Sequence, residues 1–573
     1  MQQRRELWLA ALVLGLIVLF YALSLGSIFL IRPEFDLNSS SLTSWADLRA
    51  ILSQVLGIYL KNTLWQASLS ACFILLGGYL LAKSLNYLSS RTVTWLLTFS
   101  NSSFSLPTIL VVFAFITLAG QNGWLNSVFS YLGWELKISV YGLGGILLAN
   151  CYFNLGYAGN TLYNALQKVP LEQIKLAQMS NFNAWQNLRH VEWPYLKKYV
   201  LNLWLLMFML CFNSFALVLF LGGPKYTNFE IGIYQALVTE ADFTKAAVIA
   251  GVQIIFSLLL IILISLCRPL RTANKSISLQ ELQDHVYVQT LWSYKILKTQ
   301  LSRAYALVIF IFIGLPLWSL VWAGIKSGIY LYQQYSLYRE EDISTRAFAG
   351  DTFSYPWQDL WQATQTSLII AAGATIICLL VSVILLRGMR WLGDYAAQWL
   401  NNLSLLSLVI PSMLLGAGYF LLLNLGIDLA VGKKTFMLLI MLANAFTALV
   451  FSLNYLYPAY QQAQSYAQLA AMVGFNSWQS FWRYELPLIK NSLIYAAITV
   501  FILSLGDYSI ILFFVSEQQL ASITYLLSNQ LNSFASNQGN ITATCLLLGI
   551  LGLRLIAYSW VQRNKKSLTF TAN

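Results

Sequence analysis

The chain has 573 residues, of which 58% are hydrophobic and only 10% charged, with a formal net charge of +12 and a mean hydropathy of +0.64. Soluble domains carry about 25% charged residues, so this composition excludes an ordinary soluble enzyme and indicates a protein that crosses a membrane many times. The positive charges are scattered over the edges of apolar runs and form no dense stripe, which argues against a nucleic-acid-binding surface.

Behind the opening MQQRRELW, residues 7–31 form the first apolar run. It exceeds the roughly 7–15 apolar residues of a cleavable signal peptide and reaches the roughly 20 needed to cross hydrocarbon. Arg4 and Arg5 in front of it place the N-terminus in the cytoplasm. Further spans are expected near 62–85, 97–119, 141–164, 199–222 and 244–267, then near 302–325, 362–386, 398–424, 435–458, 491–515 and 541–562. Backbone polar groups must be satisfied internally in lipid, and these runs are too long and too apolar for barrel strands. The expectation is an all-α integral membrane fold of about twelve helices in two six-helix halves, with both termini cytoplasmic. The cytoplasmic loops of that arrangement carry 22 Lys/Arg and the external ones 11, with Arg554 inside the last span, which is the positive-inside pattern.

Residues 1–267 and 302–573 are read as the two six-helix units, joined by a polar cytoplasmic linker at 268–301. The segment 326–361, with Arg339, Glu340, Glu341 and Asp342, reads as a solvated external loop. Six cysteines lie in or beside apolar runs and the two histidines, His190 and His285, lie far apart; neither disulfides, a metal site nor a catalytic cluster is expected. Gly432-Lys433-Lys434-Thr435 lacks both the glycine spacing and the Lys-Ser/Thr pair of a phosphate loop. The chain is expected to bind no cofactor, and its energy must come from a partner or an ion gradient.

One polar stretch occurs twice. Leu176 to Lys197 reads LAQMSNFNAWQNLRHVEWPYLK and Leu469 to Lys490 reads LAAMVGFNSWQSFWRYELPLIK, a shift of 293 positions with ten of twenty-two residues identical. Such identity marks an internal duplication. In each copy an amphipathic segment follows a span, and Pro194 or Pro487 is expected to interrupt the helix before the next one. Two near-identical polar loops on the cytoplasmic side indicate a symmetric partner.

Ala470, Gly474, Leu486 and Pro487 in the second copy, with Gly thirteen residues before Pro, resemble the EAA loop of ATP-binding-cassette importer permeases. The first copy departs from that pattern, with Asn181 at the glycine position and Trp193 at the leucine. The resemblance runs over nearly the whole chain, through YGLGGILLAN at 141–150, FMLCFNSFALVLFLGGP at 208–224 and SLGDYSI at 504–510. It is greatest to fused two-unit permeases of the thiamine type, with ferric-iron permeases next. It implies a non-enzymatic permease of the bacterial inner membrane working by alternating access, a homodimeric ATPase that holds ATP and Mg on the cytoplasmic side, and a periplasmic substrate-binding protein. The loops at 165–198 and 459–490 would then couple to the ATPase, through Ala177, Met179, Asn181, Pro194, Ala470, Met472, Gly474, Leu486 and Pro487. A secondary carrier driven by an ion gradient is the reading from another class.

Two further features concern the path. Pro107 and Pro411 stand in matching contexts, SLPTIL and VIPSML, and are candidate gate hinges that kink a span. Asp507 is an acidic residue inside an apolar run, and the 293-residue shift matches it to Ser214. A carboxylate in a bilayer costs about 2.5–3.5 kcal/mol and should face the bundle interior. It would meet a cationic substrate with Tyr508 and Phe215 supplying aromatic faces, or pair with Arg554, or cap a broken helix.

Overall fold

The computed structural model describes residues 2–30, 45–135, 137–223, 226–267, 292–340, 357–389, 410–423, 432–472, 474–514, 520–533 and 535–570. Most of the linker expected at 268–301, the later part of the 326–361 loop and much of the span expected near 398–424 lie outside these. The first half contains α1 (Gln2–Leu30), α2 (Trp45–Gln54), α3 (Lys61–Leu85), α4 (Ser90–Ser102), α5 (Thr108–Ala119), α6 (Trp124–Tyr131), α7 (Leu143–Leu166), α8 (Leu171–Met179), α9 (Ala184–Asn187), α10 (Trp193–Phe212), α11 (Ala216–Leu221), α12 (Phe229–Tyr234) and α13 (Phe243–Cys267). The second contains α14 (Trp292–Glu340), α15 (Trp357–Met389), α16 (Ser412–Leu421), α17 (Lys433–Thr447), α18 (Leu449–Met472), α19 (Ser477–Ser480), α20 (Leu486–Leu505), α21 (Ile523–Asn532) and α22 (Ser536–Phe570).

Among the described residues nine helices are long and apolar enough to cross a membrane, and α17 with the start of α18, bent by 49°, forms a tenth. The span expected near 141–164 is the 24-residue α7, which is not among those nine. The reason is its asparagines: Asn150 and Asn154 are buried, and Asn150 donates to Ser70 Oγ at 3.0 Å. A polar helix is stable there because it lies inside the bundle, where its side chains find partners. Leu9, Leu12, Leu16 and Leu19 of α1 instead leave more than half of their surface uncovered, as lipid-facing positions do.

The two halves repeat in detail. A shift of 304 maps Thr63, Gln66, Ala67, Ser70, Ala71, Ile74 and Gly78 of α3 onto Ser367, Ile370, Ala371, Ala374, Thr375, Cys378 and Ser382 of α15, and every one of these is buried. Small residues let α3 and α7 approach closely; a Cβ on Gly78 would lie 2.9 Å from that of Ala158.

The first helix of each half packs on the other half. α1 runs along α15 and α16, with Ser24 Oγ donating to the Leu414 carbonyl at 3.2 Å and Tyr419 Oη to that of Phe20 at 2.8 Å. α14 runs along α3 and α5, and Tyr305 Oη donates to the Gly77 carbonyl at 2.9 Å. This reciprocal exchange clasps the halves together. It requires glycine at residue 418, where a Cβ would lie 2.1 Å from the Ser24 carbonyl oxygen. Gly418→Val should therefore cost about 1–3 kcal/mol by overpacking and lower the thermal midpoint of the solubilised protein. Gly15→Ala, with nothing within 4 Å, should leave it unchanged or raised. An unchanged midpoint for Gly418→Val would show that α1 does not dock there.

Candidate functional site

The repeated stretch has the same construction in both halves. Helix α8 ends at Met179, the chain turns at Asn181, and α9 is followed by a π-helical turn at Leu188–Glu192 and then α10. In the second half α18 ends at Met472, with Ala470 in its last turn; the chain turns at Gly474, and α19 leads through a π-helical turn at Phe481–Glu485 to Leu486, the first residue of α20. Asn181 has φ +50° and Gly474 +90°, so both turns use left-handed backbone. Asparagine tolerates that region better than other non-glycine residues, and the departure at Asn181 preserves the turn. Pro194 and Pro487 do not break a helix, as the sequence suggested. Each lies just after a π-helical turn inside a helical run that continues through it, Ala184–Phe212 and Trp478–Leu505.

The shared residues fall into two groups, one building the loop and one facing outward. Asn183 and Gln186 form a reciprocal capping box at α9, with bonds of 2.8 and 2.9 Å, and Gln479 accepts from the Asn476 amide at 3.2 Å. Glu192 and Glu485 are buried, at 6% and 1% exposure. Glu192 accepts from Tyr79 Oη at 3.0 Å, Asn187 Nδ2 at 2.7 Å and the Lys83 ammonium; Glu485 accepts from Tyr460 Oη at 3.1 Å. Burial, with Glu192 nearby, pushes the Tyr87 hydroxyl up from its ordinary pKa. The 304-residue shift matches Lys83 to Arg387, whose guanidinium lies 4.9 Å from the centre of the Phe481 ring and 2.8 Å from Glu6 of α1. One cation at the end of α3 and one at the end of α15 therefore hold the two loops. Sequence reasoning missed these residues; the signal was the alignment of LLAKS with ILLRG.

Ala177 does not offer a docking surface. It is 5% exposed and packs with Val169 and Val191 in a small core inside the loop, so its small size lets α8 lie close to the chain that follows. The outward residues are Leu176, Met179, Phe182 and Trp185. Trp185 and Trp478, equivalent by the 293-residue shift, are each 66% exposed.

Pro107 and Pro411 occupy the position just before α5 and α16, so they start helices rather than kink them. Pro107 packs on the end of α20: a Cβ on Gly506 would lie 2.8 Å from Pro107 Cα. Pro411 lines a cavity of about 300 Å³ together with Asn213, Asn444, Thr447, Phe451, Ser504 and Asp507. Asn213 is the 293-shift counterpart of Gly506, so one Pro contact is closed and its twin borders the cavity. Asp507 does not pair with Arg554, which donates to Ser105. The backbone amides of Ser509, Ile510 and Ile511 lie against its carboxylate, while its Oδ2 is buried with no hydrogen-bond partner. Tyr508 and Phe215 stack on each other, with ring centres 6.3 Å apart, and both are buried in the core. Ser214 Oγ accepts from Gln66 Nε2 at 2.9 Å. Of the four residues expected to share a path, Asp507 alone lines the cavity.

Comparison with known proteins gives this arrangement its context. The model of the binding-protein-dependent transport system inner membrane component family matches residues 74–268 and again 379–569. The thiamine transport system permease protein ThiP of Haemophilus influenzae is 31% identical over 549 residues, covering 94% of both chains. ThiP of Escherichia coli is 31% identical over 85% of this chain and 86% of its own. ThiP of Brucella abortus is 26% identical over 87% and 86%. With two family domains in one chain, each carrying the same loop ahead of a membrane helix, this protein belongs to the binding-protein-dependent transport system inner membrane components.

Proposed function

We propose that the chain is the transmembrane subunit of an ATP-driven importer of thiamine and its phosphates in a bacterial inner membrane. A periplasmic binding protein delivers substrate, and a homodimeric ATPase carrying ATP and Mg docks on the two loops from the cytoplasm. Twelve spans with both termini inside would put both loops on that side, as their positive charge favours. The chain performs no covalent chemistry and holds no cofactor; it alternates between inward- and outward-facing states. The observation that carries this reading is the pair of loops of one construction, each presenting the same exposed tryptophan, in a chain similar along nearly its full length to thiamine permeases.

The loops suit that task mechanically. Each has an apolar outward face for a partner, and each is bound to its bundle by a buried carboxylate, so displacement of the loop pulls on α3 and α10 in the first half and on α18 and α20 in the second. In proteoliposomes holding the permease, ATPase and binding protein, thiamine uptake should require internal ATP and persist when ionophores collapse ion gradients. Uptake that ionophore alone abolishes would support the secondary carrier, and uptake of ferric ion in place of thiamine would overturn the substrate.

Buried aromatic anchors at interfaces are worth about 2 kcal/mol or more. The Trp185→Ala, Trp478→Ala double variant should therefore bind the ATPase about 30-fold more weakly or worse, read by titrating ATPase onto nanodisc-embedded permease. Unchanged affinity would remove these residues from the contact. Glu192→Ala leaves the Lys83 ammonium without its carboxylate and should cost about 1.5–3 kcal/mol locally. Its expected signature is ATP hydrolysis that continues while uptake per ATP falls. Normal uptake per ATP would mean that the anchor transmits nothing.

A further inference from the structure

Duplication makes Asp507 conspicuous, because its counterpart shows what a satisfied version of the same position looks like. In the first half Ser214 Oγ accepts from Gln66 Nε2 at 2.9 Å and the Ser214 carbonyl accepts from Asn228 at 2.7 Å. In the second half the main chain is held in the same way, with Thr524 Oγ1 donating to the Asp507 carbonyl at 2.7 Å. The side chains differ. The 304-residue shift puts Ile370, buried and apolar, where the first half has Gln66. A neutral donor–acceptor pair has thus become a carboxylate with no donor from that helix, and Oδ2 is left buried without a partner.

That carboxylate borders the cavity of about 300 Å³ where the end of α10 from the first half meets α16, α17, α18 and α20 from the second. The cavity arises from asymmetry: α17 and α18 bend by 49° around Ala448, which lines it, whereas the matching stretch of α7 runs unbroken. Its wall combines Asp507 with amides and hydroxyls from Asn213, Asn444, Thr447 and Ser504, and with the Phe451 ring. Asn444 Nδ2 already donates to Ser504 Oγ at 3.0 Å, which fixes both side chains. The volume is at the small end of the roughly 300–1,000 Å³ of small-molecule sites. One carboxylate among neutral groups does not supply the several oxygen ligands a multivalent metal needs, but it matches a single delocalised positive charge beside an aromatic face.

We infer that this cavity is an intramembrane binding site for a small aromatic organic cation, with the Asp507 carboxylate as the counter-charge at its wall and Phe451 as the ring surface. The inference rests on the transport reading above and deepens it: the permease holds its cargo part-way across the membrane. Occupancy bridges the two halves, whose residues line opposite walls, so the site is sensitive to their relative movement.

The test uses the permease–ATPase complex in nanodiscs without the binding protein, with thiamine as probe. Wild type should bind thiamine in a calorimetric titration, and Asp507→Asn should bind about tenfold more weakly or worse, the loss expected for one charge-assisted bond. Because Asp507 also lies against backbone amides, a second variant reads the cavity from another helix: Thr447→Cys should react with a maleimide and be protected by thiamine. The neutral thiazole alcohol that forms one half of thiamine should not protect it. Equal affinity for Asp507→Asn and wild type, or a labelling rate that thiamine leaves unchanged, overturns the site. These outcomes are separable from failure of the transport reading. If the wild-type system with binding protein and ATP imports no thiamine, the function is wrong; if it imports normally while both cavity measurements read nothing, only the site is wrong.

Discussion

A carboxylate buried at the edge of a helical bundle is costly unless donors surround it, and its position is then fixed by them. Glu192 and Glu485 impose that constraint on both halves. Each closes a π-helical turn and stands at the root of a membrane helix, α10 or α20. Glu192 is bonded to α3 through Tyr79 and Lys83, while Glu485 is bonded to Tyr460 of α18. Because the root of the loop is fixed to the bundle, the part beyond it is free to be apolar and exposed. The capping box, the left-handed turn and the tryptophan follow as the shortest way to display such a face.

The same framework explains how a duplicated protein can do something at one place only. The halves share their burial pattern, their loops and their exchanged first helices, so the shell is close to symmetric. Symmetry fails at a few side chains around the axis. Gly506 lets α20 lie flush on Pro107, whereas Asn213 opposite Pro411 leaves space; Ser214 is paired, whereas Asp507 Oδ2 is not. α7 is unbroken and stops before Pro170, whereas its counterpart bends at Ala448 and runs on to Met472. Asn213, Asn444, Thr447, Ser504 and Asp507 line the space left there, as expected if a solute rather than a side chain completes the site.

Much of this was legible in the amino-acid order because it depends on composition and repetition. The apolar runs, the two halves, the loops and the isolated carboxylate needed only hydropathy and a 293-residue shift. What depends on which way a side chain points was not. Ala177 looked like a contact residue because small residues recur there, but its helix turns that face inward. Pro107 and Pro411 looked like kinks because the apolar runs continue past them, although each precedes a fresh helix. Tyr508 and Phe215 looked like path residues because they adjoin Asp507 and Ser214; neighbours along a chain at a helix end diverge, and these two stack in the core instead. The exchange of α1 and α14 is a long-range choice between equally apolar surfaces, which no local pattern encodes. The turn at Asn181 shows the converse, since two different residues serve one backbone geometry.

In the coupling proposed above, the two loops move as one unit with the helices they root and report the nucleotide state to the cavity. Spin labels at Arg189 and Trp482, one on each loop, with pulsed electron–electron distance measurement on the permease–ATPase complex, test it most directly. The inter-loop distance should shorten when ATP closes the ATPase dimer, and Glu192→Ala should broaden or abolish the change while the ATPase stays bound. A distance distribution identical in the nucleotide-free and ATP-bound complexes would contradict it.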